Sequence, residues 1–120
     1  MEAKIKSFTD LNAWREAHKL ALIIYKTTED FPKDERFSLI DQMRRCGISI
    51  SSNIAEGFSR HGKKEKSQFY YMSKGSLTEL QNQLLLARDL GYISNKLFNE
   101  IADKTVTVSK LLTGLIRSLK

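Results

Sequence analysis

Residues 42–57 read Gln-Met-Arg-Arg-Cys-Gly-Ile-Ser-Ile-Ser-Ser-Asn-Ile-Ala-Glu-Gly. At about 100° per residue, the apolar and small residues of this stretch recur every three or four positions, as the buried face of a helix requires. With the preceding leucine, that face comprises Leu39, Met43, Cys46, Gly47, Ile50, Ile54 and Gly57. We therefore predict one helix whose apolar face lies in the core, with small residues that let another backbone approach closely.

A polar stripe runs beside this apolar face at the same helical spacing. It comprises Gln42, Arg45, Ser49, Asn53 and Glu56, and a later helix adds Ser76, Glu79 and Gln83 within its own apolar arc. Buried polar groups without partners cost about 1–3 kcal/mol each, so we predict a hydrogen-bonded network, either inside a bundle or at a subunit interface. A glutamate of this network needs a cationic partner, and either Arg44 or Arg45 has the right chemistry.

Three further helices are predicted around this one. In chain order, the first helix begins at Thr9 or Asp10 and ends near Asp30. The second is the helix already described, which follows a Ser38–Asp41 capping box and ends near Ser59. The third spans about Lys64–Leu90 before Gly91, and the fourth follows Ser94. Short connections between four long helices indicate an all-α, antiparallel, up-and-down four-helix bundle. The chain is expected to form a single domain over residues 1–120, since no linker divides it.

Two of these helices are apolar over a wider arc than one core face needs. On the first helix the predicted face is Leu11, Trp14, Ala17, Ala21, Ile24 and Tyr25, with Leu20 and Ile23 outside it. On the fourth, Phe98, Ile101, Thr105, Val108, Leu112, Leu115 and Leu119 form a seam, with Leu97, Leu111 and Ile116 outside it. Because monomers rarely expose large apolar patches, this excess predicts a subunit contact.

The residue types argue against several classes of protein. The two histidines, His18 and His61, provide neither a metal-ligand pattern nor a catalytic triad, so we expect no metal, no cofactor and no catalytic residue. No stretch is apolar enough for a membrane span or a signal peptide, and a cytoplasmic location is expected. The single cysteine, Cys46, is predicted to be a buried core thiol.

Basic residues are concentrated after the second helix. The chain has a net charge of +6, and Arg60, Lys63, Lys64 and Lys66 stand together with only one acid, Glu65, among them. Cations at the start of a helix oppose its dipole, so this placement favours a site that an anion occupies. We predict that these four residues, with Arg44 and Arg45, contact nucleic acid, although a solvated surface loop would have the same composition.

The sequence also resembles the four-helix-bundle family of 23S rRNA intervening-sequence proteins. The resemblance lies in Leu11, Trp14, Tyr25, Phe31-Pro32, Glu35, the segment 42–57, Gly75-Ser76 and Glu79-Leu80. It implies an antiparallel four-helix bundle that assembles into a ring, as a pentamer, and a similarity to the accessory proteins of diversity-generating retroelements. It implies no established reaction.

Together these patterns predict a non-enzymatic oligomer that binds RNA or DNA, or a nucleic-acid-processing protein, through a basic surface. The alternative is a structural or protein-interaction scaffold with no nucleic-acid role. Dependence of binding on salt distinguishes the two functions, because only phosphate contacts release counterions.

Overall fold

A computed structural model describes residues 4–120, and in this range the chain forms four long helices and no strand. The helices are α1 (Asn12–Thr28), α2 (Leu39–Ser59), α3 (Lys63–Asp89) and α4 (Asn95–Arg117), with short 3-10 turns at Phe8–Asp10 and Lys33–Glu35. The predicted all-α, four-helix architecture is therefore confirmed.

The four helices run antiparallel to their chain neighbours. Along α2 and α3, Ser49 contacts Ser76 and the later residue Phe58 contacts the earlier residue Lys66, so the two helices have opposite directions. The α3–α4 pair shows the same reversal, since Lys74 bonds Thr113 and Gln81 bonds Thr105. Because α1 also packs against α4, the four helices form a closed bundle about 45 Å long.

The predicted core face of α2 is confirmed. All seven residues of that face are buried, and Met43, Ile50 and Ile54 are completely inaccessible to solvent. Cys46 is among the buried residues, as predicted. This helix packs against α1 and α3, and α4 closes the bundle on the opposite side by packing against those two helices.

The predicted core faces of α1 and α4 are partly wrong. Leu20 is completely buried within the chain and Ile116 is also buried, so neither is available for a subunit contact. On α1 the buried side is rotated towards Ala13, Ala17, Leu20 and Ile24, and two aromatic residues of the predicted face lie at its edges. Trp14 stacks on His18 at a ring distance of 4.8 Å, and Tyr25 is 40% exposed beneath Arg44.

The prediction for α3 was also partly wrong. The helical spacing in the sequence predicts a core face of Phe69, Met72, Leu80, Leu84, Ala87 and Leu90, but Met72 and Leu90 are 55% and 49% exposed. Tyr70 and Leu77 are buried instead, so the inward face of the first part of α3 is rotated by one residue, roughly a quarter of a turn. The exposed apolar side chains of α3 therefore lie on the outside of the bundle.

Three of the four predicted helix ends have the expected capping residue, and the start of α1 does not, because Leu11 rather than Thr9 or Asp10 precedes it. Gly91 has φ of +81° after α3, and the Ser94 side chain accepts a hydrogen bond from the Leu97 amide at the start of α4. Ser38 is the N-cap residue of α2, as predicted, but the capping box is absent because its hydroxyl donates to Glu35 instead. At the N-terminus, Ser7 and Asp10 form a capping box around the 3-10 turn, and α1 begins after it.

Two glycines of α2 allow other helices to approach closely. A Cβ on Gly47 would lie 3.4 Å from Ala21 Cα, whereas a Cβ on Gly57 would lie 2.6 Å from the Tyr70 ring and 3.1 Å from Phe69 Cβ. Since Tyr70 is buried, its ring has little room to move aside. Gly57 is thus required for the packing of α2 on α3.

We expect Gly57→Ala to lower the free energy of unfolding by about 1–3 kcal/mol, because overpacking at Tyr70 outweighs the gain in helix propensity. Gly75→Ala on α3 is the matched control, since no atom lies within 4 Å of its added Cβ. That control should raise stability by about 0.5–1 kcal/mol. Denaturant unfolding measures both changes, and equal stabilisation by the two substitutions would contradict the close packing at Gly57.

Candidate nucleic-acid interface

The six predicted nucleic-acid-binding residues lie in two separate places. Arg60, Lys63, Lys64 and Lys66 are at the α2–α3 connection, whereas Arg44 and Arg45 are in the second turn of α2. At 1.5 Å per residue, the fifteen positions from Arg45 to Arg60 correspond to roughly 22 Å along the helix. The structure therefore brings together four of the six residues, and the arginine pair belongs to a different surface.

Two of the four clustered cations hold the α2–α3 connection in place. Lys66 Nζ donates to the backbone oxygens of Phe58 at 2.6 Å and Gly57 at 3.3 Å, so it neutralises the C-terminal end of α2. The Arg60 guanidinium lies 4.8 Å from the Phe69 ring centre and bonds Glu56 at 3.2 Å. These contacts fix the positions of both charges relative to the bundle.

The other two cations, Lys63 and Lys64, are exposed in the first turn of α3. Gly62 precedes this helix and has no side chain that could cap it. The first backbone N–H groups of a helix have no partner within the helix and carry a partial positive charge. The start of α3 therefore combines two exposed positive side chains with free amide donors.

The topology adds further cations to the same end of the bundle. The N-terminal segment 4–10 and the C-terminal segment 114–120 lie at this end because α1 begins, and α4 ends, where α2 meets α3. We call segments 4–10, 56–66 and 114–120 together the basic end. Its cations are Lys4, Lys6, Arg60, Lys63, Lys64, Lys66, Arg117 and Lys120, against the three acids Asp10, Glu56 and Glu65.

Two of these three acids are already satisfied by groups of the protein. Asp10 accepts hydrogen bonds from the amides of Lys6 and Ser7, and these bonds lower the pKa of its carboxyl group. Glu56 pairs with Arg60. The opposite end, segments 26–41 and 86–100, has five cations and seven acids. The excess positive charge of the chain is therefore concentrated at one end.

Sequence reasoning did not assign Lys4, Lys6, Arg117 or Lys120 to the interface. The predicted topology already implied that these cations lie beside the α2–α3 connection, because an up-and-down four-helix bundle has its first residue, its central turn and its last residue at one end. Local charge clustering alone selects only the α2–α3 connection, where the cations are adjacent in sequence.

Arg44 and Arg45 make contacts within and between α1 and α2. Arg44 Nε donates to the Thr28 hydroxyl at 2.9 Å, and its guanidinium lies 4.6 Å from the Tyr25 ring centre. Arg45 pairs with Asp41 at 3.0 Å on the surface of the bundle. Neither arginine pairs with a glutamate of the polar stripe, so that part of the prediction was wrong.

The central residues of the predicted polar network are joined by hydrogen bonds. The hydroxyl oxygens of Ser49 and Ser76 lie 2.7 Å apart, and Asn53 Nδ2 donates to the Ser49 backbone oxygen at 2.8 Å and hydroxyl at 3.0 Å. Ser73, which sequence reasoning did not select, donates to the Ile50 backbone oxygen at 2.7 Å. These bonds join α2 and α3 over the middle of their length.

The outer members of the predicted network lie at its margin. Gln42, Glu56 and Glu79 are exposed, and Glu56 bonds Arg60 rather than the serines. Glu79 accepts a hydrogen bond from the Cys46 thiol at 3.4 Å. Burial and the adjacent Glu79 raise the pKa of Cys46 to about 11. The stripe is thus a half-buried, hydrogen-bonded centre with a solvated edge.

The fold and the charge distribution define a small helical-bundle protein with one strongly basic end. The chain matches the 23S rRNA-intervening sequence protein family over residues 9–114, and it belongs to this family. The resemblance seen in the sequence is thereby confirmed. No curated protein matches the chain.

A solved structure supports the same fold. It is a protein with unknown function from the S23 ribosomal protein family of Bacteroides thetaiotaomicron VPI-5482, and it superposes with a TM-score of 0.81. The two sequences are 20% identical, and the alignment covers 88% of this chain and 95% of that chain. At this identity the similarity establishes the fold alone. Within residues 4–120, no helix combines the length and apolar character that a membrane crossing requires.

The raised pKa of Cys46 leads to a prediction about its reactivity. A pKa of about 11 rather than the usual 9.0 leaves about a hundredfold less thiolate near pH 8. We therefore expect a thiol reagent to label the native protein at least about a hundredfold more slowly than the protein unfolded in denaturant. Equal labelling rates would show that Cys46 is accessible in the native fold.

Proposed function

We propose that the protein binds nucleic acid, RNA or DNA, through its basic end and that it catalyses no reaction. The observation that carries this proposal is the convergence of three separate basic segments at one end, with eight cations against three acids. When a phosphate backbone binds such a surface, it releases counterions, and this release supplies most of the binding free energy when binding does not depend on sequence.

The start of α3 supports a phosphate contact in particular. Lys63 and Lys64 stand at the positive end of the helix dipole, so each destabilises the free protein slightly. A phosphate group placed there would accept bonds from the free amides and neutralise both lysines. The names of the family and of its structural relative refer to 23S rRNA and to a ribosomal protein, and both are compatible with a nucleic-acid partner.

We further propose that the protein acts as an oligomer in the cytoplasm. The support is a set of large apolar side chains exposed on the outside of α3 and α4. They are Tyr71, Met72, Leu85, Leu86, Leu90 and Val106. A heterologous contact between such surfaces closes into a ring, and the family resemblance alone suggests five subunits. A ring would repeat the basic end in each subunit and so multiply weak phosphate contacts.

The basic end can be tested with Lys63→Ala/Lys64→Ala, because these side chains have no role in the packing of the connection. We expect weaker binding to all nucleic acids and a smaller salt dependence. The slope of log K against log salt should fall by about 0.7–0.9 for each lost contact in each subunit. Fluorescence anisotropy with labelled single-stranded RNA and duplex DNA across salt concentrations measures this.

Lys33→Ala/Lys96→Ala is the matched control, since it removes the same charge from the opposite end. That variant should retain the salt slope of the unmodified protein. If the two double variants have the same slope, the basic end is not the binding surface. If the unmodified protein binds neither nucleic acid, the function is that of a structural or protein-interaction scaffold.

The oligomer can be tested by light scattering at micromolar concentration. We expect a mass several times 13.8 kDa for the unmodified protein and a lower mass for Leu85→Glu/Val106→Glu, because the added charges would be buried in the contact. Circular dichroism should show unchanged helix content. Leu22→Glu, on the exposed side of α1, is the control and should keep the mass. A monomeric mass for the unmodified protein would refute the ring.

A further inference from the structure

A groove runs along the outside of the bundle between α1 and α2, away from the basic end. It has a volume of about 660 Å³, and its lining includes Tyr25, Arg44, Arg45, Ile48 and Ser52. Ile48 is 46% exposed, Tyr25 is 40% exposed, and Leu22, one turn before Tyr25, is 59% exposed. Leu22 is not a lining residue of the groove, but its place one turn from Tyr25 on α1 extends the exposed apolar surface beyond the groove.

The arginine in this groove has its position fixed by several contacts. Arg44 Nε donates to the Thr28 hydroxyl at 2.9 Å, a terminal nitrogen donates to the Tyr25 backbone oxygen at 3.2 Å, and the guanidinium covers the Tyr25 ring. Thr28 is buried and bonds the Ile24 backbone oxygen at 2.8 Å. A guanidinium has five N–H donors, so Arg44 retains donors that these contacts do not use. Because the contacts already fix the guanidinium, a partner would not have to order it on binding.

The composition of the groove is that of a protein interface. Tyrosine and arginine are enriched at the centres of such interfaces and lysine is depleted, and the lining holds two arginines and no lysine. The basic end is instead rich in lysine. Exposed aliphatic groups such as Leu22 and Ile48 give no affinity for phosphate, but they bury well against apolar side chains. These differences favour a protein over a nucleic acid in the groove.

Charge specifies the partner further. Two arginines and one acid line the groove, and because the acid, Asp41, pairs with Arg45 at 3.0 Å, the excess positive charge is that of Arg44. An occupant must therefore bring carboxylates together with its apolar side chains. A second copy of this chain has a net charge of +6 and would approach the arginines against repulsion. A groove between two antiparallel helices also suits a third helix, whose apolar residues recur every three or four positions.

We propose that the α1–α2 groove binds an acidic amphipathic helix of a partner protein. Leucine-like side chains of that helix pack on Leu22, Tyr25 and Ile48, and its carboxylates bond Arg44 and Arg45. Along α2, Arg45 of the groove lies roughly 22 Å from Arg60 of the basic end, so the cations of the two surfaces can be occupied at once, although the groove reaches Ser52, four positions before Glu56. In that case the protein links its nucleic acid to the partner.

The test uses a designed, fluorescein-labelled helical peptide of about 18 residues, five helical turns, with leucine along one face and glutamate on both flanks. A second peptide with lysine in place of every glutamate is the charge control. We expect fluorescence anisotropy to show micromolar binding of the acidic peptide and no binding of the basic one. Arg45→Glu/Ile48→Glu, two exposed positions, should weaken binding by at least about tenfold.

Lys63→Ala/Lys64→Ala is the matched control and should bind the acidic peptide normally, while Arg45→Glu/Ile48→Glu should bind nucleic acid normally. Failure of the nucleic-acid proposal is therefore distinguishable from failure of this one. Three results would overturn the groove proposal: no binding of the acidic peptide, loss of nucleic-acid binding in Arg45→Glu/Ile48→Glu, or a lower mass of that variant in light scattering. The second result would assign the groove to nucleic acid and the third to another copy of the chain.

Discussion

The close contact between α2 and α3 is the constraint on which the rest of the structure depends. Gly57 lies against the Tyr70 ring, and the Ser73 hydroxyl bonds the Ile50 backbone oxygen, so no bulky side chain separates the two helices. Helices packed this closely in opposite directions need only the short connection 60–62. Four cations of the chain are confined to that connection and the first turn after it. The local charge density is thus a consequence of how closely two backbones approach.

The number of helices determines how the remaining charge is distributed. With four passes along one axis, the first residues, the α2–α3 connection and the last residues come to the same end, whatever their separation in sequence. The same topology places the α1–α2 and α3–α4 connections at the other end, where acids outnumber cations when the two segments are taken together. The net charge of the chain does not by itself indicate that positive and negative charges are separated between the two ends of the bundle. A surface at the end of a bundle is also small, so one subunit can make few phosphate contacts, and affinity would depend on repetition of that end in an assembly.

The sequence predicted the helices and the α2 core face well because each follows from spacing within one element. It failed where two elements compete for the same group. Ser38 was available to cap α2, but Glu35 accepts its hydroxyl instead. On α1, the contact of Arg44 with Tyr25 keeps that ring at the edge of the core, and no pattern within α1 indicates this. On α4, a strict seven-residue seam drifts by about 20° per repeat on a straight helix, so Ile116 replaces Leu115 in the core. The basic end depends on topology, which spacing within one helix does not specify.

Lysine and arginine are divided between the two proposed surfaces in a way that matches their chemistry. Lys63 and Lys64 are exposed point charges on flexible stems, and these suit phosphates whose positions vary with the nucleic acid. Arg44 is held between Thr28 and Tyr25, which suits a carboxylate at a defined position. Both surfaces include residues of α2, whose core face is fully buried and whose backbone is one continuous helix. Because a rigid helix keeps the two sites at a fixed separation, occupation of both would place a partner protein at a defined distance from the bound nucleic acid.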